Sequence, residues 1–396
     1  MRPSIAGLAA LALSVASPVA GLPTAASADA PVKVGVVLTL SGPSAALGQQ
    51  VLDGFTLALR DLGETMGGRK VEAIVADDAL KPDVAVSKVR EMVERDRVDF
   101  VVGPVFSNVL QAIHRPVTES GAILVSPNAG TSIFAGKGCH PGFFVTSYQN
   151  DQVFGVLGKV AGARGYRRVF VLVPNYQAGR DAVAGFRRHF DGEVVGESYA
   201  ALNTVDFQAD LARIATAAPD AVFTFMPGGM GVALVRQYRQ AGLADRIPFL
   251  SAFTVDESTL PAQQDAALGM LGAMTWAPDA ADPRSRKFVS DFEAAYGYVP
   301  GSYAMQAYDA AMLIAGAVEA VGGDTSRRDA MREAMRDGRF RSLRGDFRFN
   351  ANGFPIQDFY LVRAAKRPDG KFQTEIVEKV FEDDADPYAA DCAAKG

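Results

Sequence analysis

Three histidines, two cysteines and the aspartate pair Asp77-Asp78 are the first places to look for chemistry in this 396-residue chain. His114, His140 and His189 lack the spacing of a metal pair, and none stands beside a Gly-x-Ser-x-Gly elbow that would supply a nucleophile. His189 follows Arg187 and Arg188 and reads as a solvated helix end. Asp77 and Asp78 close a predicted strand, where carboxylates ordinarily hold a turn or cap a helix. The turn after the first strand, TLSGPSAALG, contains neither Gly-x-Gly-x-x-Gly nor a phosphate-binding loop. No set of residues for nucleophilic, metal or dinucleotide chemistry assembles. The expectation is a binding protein rather than an enzyme, without cofactor or metal.

The N-terminus has Arg2 as its early charge, an apolar run from Ile5 to Ala16, and the small residues Ala26-Ser27-Ala28. This is the pattern of an export signal over residues 1–28, cleaved near Ala28. Its apolar run is too short for a permanent membrane span, and no cysteine beside the cleavage site invites a lipid anchor. Export to an oxidising compartment favours a disulfide between Cys139 and Cys392, with two buried free thiols as the alternative. The formal net charge of -5 becomes about -6 once Arg2 is removed, and no block of Lys or Arg interrupts the sequence. Such a surface gives no footprint for nucleic acid or anionic lipid. Roughly 370 mature residues exceed what one core holds, which predicts two lobes.

Elements able to position a site alternate along both halves. Val32–Leu38 reads as a buried strand, followed by a Ser-Gly-Pro-Ser turn and a helix whose apolar positions run from Leu47 to Leu62, with Gly63 past its end. Strands 71–76, 100–102 and 122–125 alternate with helices 82–95 and 108–120. From Asn150 a second series follows, with strands 169–173, 193–195, 221–225 and 248–250 between helices starting after Gly179, at Asp206 and at Gly231. Helices 284–296 and 303–321 come next, and a hairpin pairs 359–365 with 372–380 around Pro368-Asp369-Gly370. This is an α/β chain of two doubly wound, mostly parallel lobes. Ligands in such folds sit between lobes, at the carboxyl ends of the strands.

The export signal, the Ser-Gly-Pro-Ser turn, FVVGPVFSNVL, ILVSPNAGTS, VFVLVPNYQAGRDAVAGF and YAMQAYDAAMLI occur in an order that resembles the periplasmic solute-binding proteins of the leucine/isoleucine/valine type. The resemblance covers essentially all of the mature chain. It implies two lobes joined by a three-strand hinge, closing on a small ligand that is handed to the permease of an ABC importer in the inner membrane. It assigns residues 31–147 plus 278–354 to lobe one, 148–277 plus 355–382 to lobe two, and 383–396 to a C-terminal tail. A periplasmic monomer is expected. A receptor subunit that senses rather than transports is the other class this fold serves, and neighbouring permease and ATPase genes would separate the two.

By the same resemblance, a serine after the third strand and backbone groups after the fourth hold the ligand's carboxylate. The matching positions are Ser107, next to Phe106, and Asn128-Ala129-Gly130. Ser107 opens a helix whose free N–H groups favour an anion, so it is expected to cap that helix and bind ligand at once. Asn128 and Gly130 equally suit a plain turn. Ser41 in the first turn, Tyr176 as a cover, and Met226-Pro227 on the opposite wall complete the expected lining. Trp276 serves either hinge packing or the pocket.

The amino-acid binders of the family differ from this chain at two positions, and at the first their threonine after the fourth strand is replaced by Gly130, with Thr131 one residue later. At the second they hold the ligand's ammonium with an acidic residue in the loop after PFL, whereas here Phe253 occupies the aligned place, with Asp256 and Glu257 further along. A buried ammonium without a partner is costly, and a phenylalanine offers a ring face instead. The expected ligand is therefore an aromatic monocarboxylate, such as a benzoate or hydroxycinnamate derivative. A branched-chain amino acid or amide is the alternative if Asp256 or Glu257 turns inward.

Overall fold

The structure, a computed structural model, describes Met1 and residues 30–392, so the export signal beyond Met1 lies outside the described residues. The strands are rich in valine because most are covered on both faces, which calls for continuous apolar runs rather than alternation. The first sheet contains β1 (Val32–Leu38), β2 (Thr65–Met66), β3 (Arg69–Asp77), β4 (Phe100–Val102), β5 (Ile123–Ser126) and β6 (Phe143–Val145) in the order β2-β3-β1-β4-β5-β6. All its pairings are parallel except β2 with β3. Helices α1 (Ala45–Asp61), α2 (Pro82–Arg90) and α3 (Ser107–Ser120) belong to its series, and helices from later in the chain, described below, return to pack on it. The helical run predicted to Arg95 stops being α-helical at Arg90 and continues as a wider π-helical turn, Glu91–Asp96.

After β6 the chain enters α4 (Asn150–Ala163) and the second sheet, whose parallel core is β7 (Arg168–Pro174), β8 (Glu193–Ala200), β9 (Ala221–Thr224), β10 (Phe249–Ser251) and β11 (Leu271–Met274). Helices α5 (Gln177–Arg188), α6 (Gln208–Ala217), α7 (Gly229–Gln240) and α8 (Leu260–Gln263) connect these strands. The chain then leaves for α9 (Pro283–Tyr296), α10 (Ser302–Ala320) and α11 (Arg328–Asp337), and α10 packs along α1 of the first half. It returns through β12 (Arg348–Phe349) into the hairpin β13 (Pro355–Lys366) and β14 (Phe372–Asp384), which adds antiparallel strands beside β11. The second sheet is thus mixed rather than purely parallel. The chain crosses between the halves three times, around residues 146–149, 275–282 and 342–355.

The described part of the tail, as far as Cys392, is held by side-chain chemistry. Beyond β14, Tyr388 donates from its hydroxyl to Asp151 Oδ2 at 2.6 Å, and a short helix, α12 (Ala389–Cys392), carries Cys392 to Cys139. The two cysteines form a disulfide, with Cα atoms 5.7 Å apart. Asp77 and Asp78 hold a turn, as expected. Asp77 Oδ1 accepts from the N–H groups of Leu40 and Ala79, and Asp78 Oδ1 accepts from Thr39 Oγ1 and the Leu80 N–H. Trp276 resolves to hinge packing: it is buried with Phe288, Phe292 and Met305, and its indole N–H donates to Ser285 Oγ at 2.9 Å. Among the described residues no helix is long and apolar enough to cross a membrane.

Candidate functional site

Five helices deliver residues of their first turn to one cleft between the halves. These are Leu47 from α1, Ser107 from α3, Asn150 from α4, Ala178 from α5 and Tyr303 from α10. The doubly wound topology dictates this convergence, since each strand ends where the next helix begins. The cleft therefore faces helix N-termini, whose partial positive charge favours an anion. In α3 the first intrahelical bond runs from the Leu110 N–H to the Phe106 carbonyl, so the N–H groups of Ser107, Asn108 and Val109 have no carbonyl within the helix. Among the described residues the Ala129 N–H also has no partner.

The walls are aromatic. Tyr148 and Phe253 stack with centroids 5.1 Å apart and planes 18° apart. Phe253 meets Phe154 and Phe225 edge-on, each at 6.3 Å, and Tyr303 at 5.9 Å. Tyr176 lies 6.3 Å from Phe106 and 6.2 Å from Phe225, closing the side nearest α3. Phe253 reaches this central place with a φ of 55°, a left-handed conformation rarely tolerated by a bulky residue and one that functional sites sometimes retain. Together the rings leave a partly open cavity of about 20 Å3 between the halves. That volume has room for about one water.

Polar groups around these rings are mostly committed to one another. Asn128 donates from Nδ2 to the Val105 carbonyl at 2.6 Å and accepts from the Tyr148 hydroxyl at 3.1 Å. Asn150 donates to Ser107 Oγ at 3.3 Å and to Asp181 Oδ2 at 2.9 Å. Asp181, buried, also accepts from the Ser132 hydroxyl and from Gln177, and its burial holds its pKa above the ordinary aspartate value. Burial likewise raises the Tyr148, Tyr176 and Tyr303 hydroxyls, so all three are neutral hydrogen-bonding groups. Among the described residues no charged side chain lines the cleft.

Phe106, Ser107, Asn128, Ala129, Tyr176, Pro227 and Phe253 are all gathered in the lining. Three expected residues are not. Ser41 is exposed and hydrogen-bonds to Asp77. Met226 packs into the separate core of the second half, with its N–H bonded to Thr254 Oγ1, because it points to the opposite face of the strand end. Gly130 spends its N–H on Asn150 Oδ1, and a Cβ there would stand 1.8 Å from the Tyr148 carbonyl oxygen, so its role is close backbone packing. The capping expectation for Ser107 also needs correction: Phe106 occupies the cap position, and Ser107 is the first helical residue, its hydroxyl facing Asn150.

Tyr148, Asn150, Phe154, Phe225 and Tyr303 were missed as lining residues. Tyr148 lies within the first crossing and Asn150 directly after it, and that crossing was the available signal. Neither carboxylate of the neighbouring loop lines the cleft. Asp256 accepts from the Ser258 N–H, while its other oxygen is buried without a partner, and burial raises its pKa. Glu257 turns to the hairpin, where it accepts from the Thr374 N–H and hydroxyl at 2.7 Å, and burial pushes its pKa up to about 7.

Comparison with known proteins agrees with this architecture. The model of the family described as periplasmic binding protein matches residues 31–371. The Leu/Ile/Val-binding protein homolog 6 of Brucella melitensis is 31% identical over 377 residues, covering 92% of this chain and 95% of its own. A solute-binding protein of an ABC transporter from R. palustris, solved in complex with benzoate, is 31% identical with a TM-score of 0.86 over 92% of this chain and 100% of that one. Another, from Rhodopseudomonas palustris BisB5 in complex with 3,4-dihydroxybenzoic acid, is 28% identical with a TM-score of 0.85, covering 90% and 99%. A two-lobed α/β architecture with a cleft at its helix N-termini, and relatives that span its length, place this chain in the periplasmic binding protein family, as a solute-binding protein of the ABC-transporter type.

Proposed function

We propose that this protein captures an aromatic monocarboxylate, a benzoate or hydroxycinnamate derivative, in the periplasm and presents it to the permease subunits of an importer. The observation that carries the reading is a cleft walled by seven aromatic rings with no acidic side chain in its lining. Such a site has ring faces for a planar ligand and N–H groups for its carboxylate, but no counter-charge for an ammonium. The benzoate and dihydroxybenzoate complexes of the two R. palustris proteins support the same ligand class. The name of the Brucella relative favours branched-chain amino acids instead.

In this reading lobe one comprises residues 31–147 plus 278–354 and lobe two 148–277 plus 355–382, with the ligand closing the space between them. A cavity near 20 Å3 does not admit a ring, so capture proceeds by parting the lobes about the three crossings. The bond from the Gly229 N–H to the Pro43 carbonyl, 3.1 Å, ties the first turn of one half to α7 of the other and must break on opening.

The test is a thermal-shift and calorimetry screen over benzoates, cinnamates, amides, leucine and valine, since a ligand that binds only the folded state raises its stability. Benzoate-type acids are expected to stabilise and leucine and valine to do little. Tight leucine binding with no response to aromatic acids overturns the reading.

Ser107 supplies a narrower check. Its Oγ accepts from Asn150, which leaves its proton free to donate to a carboxylate. Ser107→Ala is expected to weaken binding of the aromatic acid by about 1–3 kcal/mol, the range for a hydrogen bond to a charged group. Calorimetry giving unchanged affinity removes Ser107 from the site.

A further inference from the structure

Next to the cleft, but outside its lining, lies a buried carboxylate. Asp181, in the second turn of α5, is 3% exposed. Among the described residues no cation pairs with it, and the charge that acts on it is the like charge of Asp151. Its oxygens are filled instead by neutral donors. Oδ1 accepts from the Ser132 hydroxyl at 2.7 Å and from Gln177 Nε2 at 2.8 Å, and Oδ2 accepts from the Ser132 N–H at 3.2 Å and from Asn150 Nδ2 at 2.9 Å. These donors do not belong to one half. Ser132 opens the short turn Ser132–Phe134 between β5 and β6 of the first sheet, whereas Gln177 and Asp181 lie between β7 and β8 of the second. The Ser132 bonds therefore cross the gap between the halves, one to each carboxylate oxygen.

Asn150 joins this contact to the site. Its N–H donates to the Gly130 carbonyl at 2.8 Å and its Oδ1 accepts from the Gly130 N–H, which fixes the amide so that Nδ2 faces both Asp181 and Ser107 Oγ. Asp181 thus stands behind the hydroxyl that donates to the ligand's carboxylate. Parting the halves takes Ser132 away and leaves this carboxylate with Gln177 and Asn150. Hydrogen bonds to an ionised group are among the stronger ones, and contacts that must break before a ligand can leave act mainly on its rate of release. We infer that Asp181 is a positioning residue for capture: its carboxylate clasps Ser132 across the gap when the halves meet, and the clasp sets how long a ligand stays enclosed. This rests on closure over a ligand in the cleft and holds for an aromatic acid or an amino acid alike.

Stopped-flow kinetics and calorimetry with benzoate, and with leucine alongside, test the inference on the wild type, Ser132→Ala, Asp181→Ala and the double variant. Ser132 is half-buried in a short turn, so its alanine variant keeps the fold, and without ligand its unfolding midpoint is expected to stay within about 1 °C of wild type. Ser132→Ala is expected to release benzoate about tenfold faster, with association within about twofold of wild type. In the Asp181→Ala background the same substitution is expected to cost less than about threefold, because the acceptor it served is gone. A serine that only stiffens its own turn moves neither the release rate nor this coupling. Release from Ser132→Ala within about twofold of wild type overturns the inference, and so does an equal cost of that substitution with and without Asp181. Both of those results leave the aromatic-acid reading standing. Binding of leucine with no binding of benzoate counts against that reading, and the same cycle run with leucine still decides the role of Asp181.

Discussion

Phe253→Glu is expected to reduce affinity for a benzoate-type acid by about 100-fold or more, or roughly 3 kcal/mol. The Phe253 ring stacks on Tyr148 and meets Phe154, Phe225 and Tyr303, so it is the element that the other rings share. Each aromatic pair contributes about 0.5–1.5 kcal/mol beyond simple burial, and a ligand ring in this cleft contacts the same surface. The glutamate removes that face and sets a carboxylate opposite the anion it must admit, with no cation in the lining to offset either charge. Phe253→Leu separates the two effects, since it loses the ring without adding charge and is expected to cost about tenfold. Calorimetry reads both. A glutamate variant within threefold of wild type places the ligand away from Phe253.

The architecture was legible because the topology repeats a simple rule: buried apolar run, turn, amphipathic helix. It was not legible where that rule bends. α4, NDQVFGVLGKVAGA, is buried on nearly every side, so it has no apolar stripe to betray a helix. β11, LGAM, is short and glycine-containing, with nothing local to mark it as the strand that receives the terminal hairpin. α11 has six charged residues in ten, and its apolar stripe, Ala330-Met331 and Ala334-Met335, spans little more than one turn, so it was passed over although its spacing is helical. The hairpin was recognised from its Pro-Asp-Gly turn, but its strands extend further, to Pro355 and Asp384, because their outer ends pair beyond the apolar stretch.

The site was partly legible for a related reason. Ser107, Asn128 and Ala129 lie in short segments whose turn and helix-start chemistry is visible in the sequence, and Phe253 stood out by departing from a pattern. Phe154, Phe225 and Tyr303 look like ordinary core aromatics, and in a sense they are: each is packed among buried neighbours in one continuous core. What makes them lining residues is the convergence of helix starts from distant parts of the chain, which a local reading does not contain. Ser41 and Met226 failed for the opposite reason, lying next to lining residues in sequence but turned to other faces.

The hinge predicts the largest effect on stability. Arg344 is 6% exposed at its side chain and pairs with fully buried Asp309 of α10, Nη2 to Oδ2 at 3.0 Å. It also donates to the Thr146 carbonyl at 2.7 Å, to the Ser147 carbonyl at 3.2 Å and to Gln357, so one guanidinium fastens the first crossing, α10 and the return into β13. Arg344→Met leaves the Asp309 carboxylate buried with Ser342 and the Leu343 N–H but no counter-charge. Breaking a buried pair in this way costs about 3–5 kcal/mol, or roughly 4–6 °C in the unfolding midpoint at about 2.1 cal/mol/K per residue. Burial already raises the Asp309 pKa, with the Arg344 charge acting against that rise. In the variant the pKa rises further, and a group whose folded pKa is raised regains stability as pH falls towards it. The deficit is therefore expected to be smaller at pH 5 than at pH 7, and Arg344→Met with Asp309→Leu is expected to recover most of it. Thermal unfolding at the two pH values distinguishes this from a simple loss of packing, which would give the same deficit at both and would not be relieved by removing the aspartate.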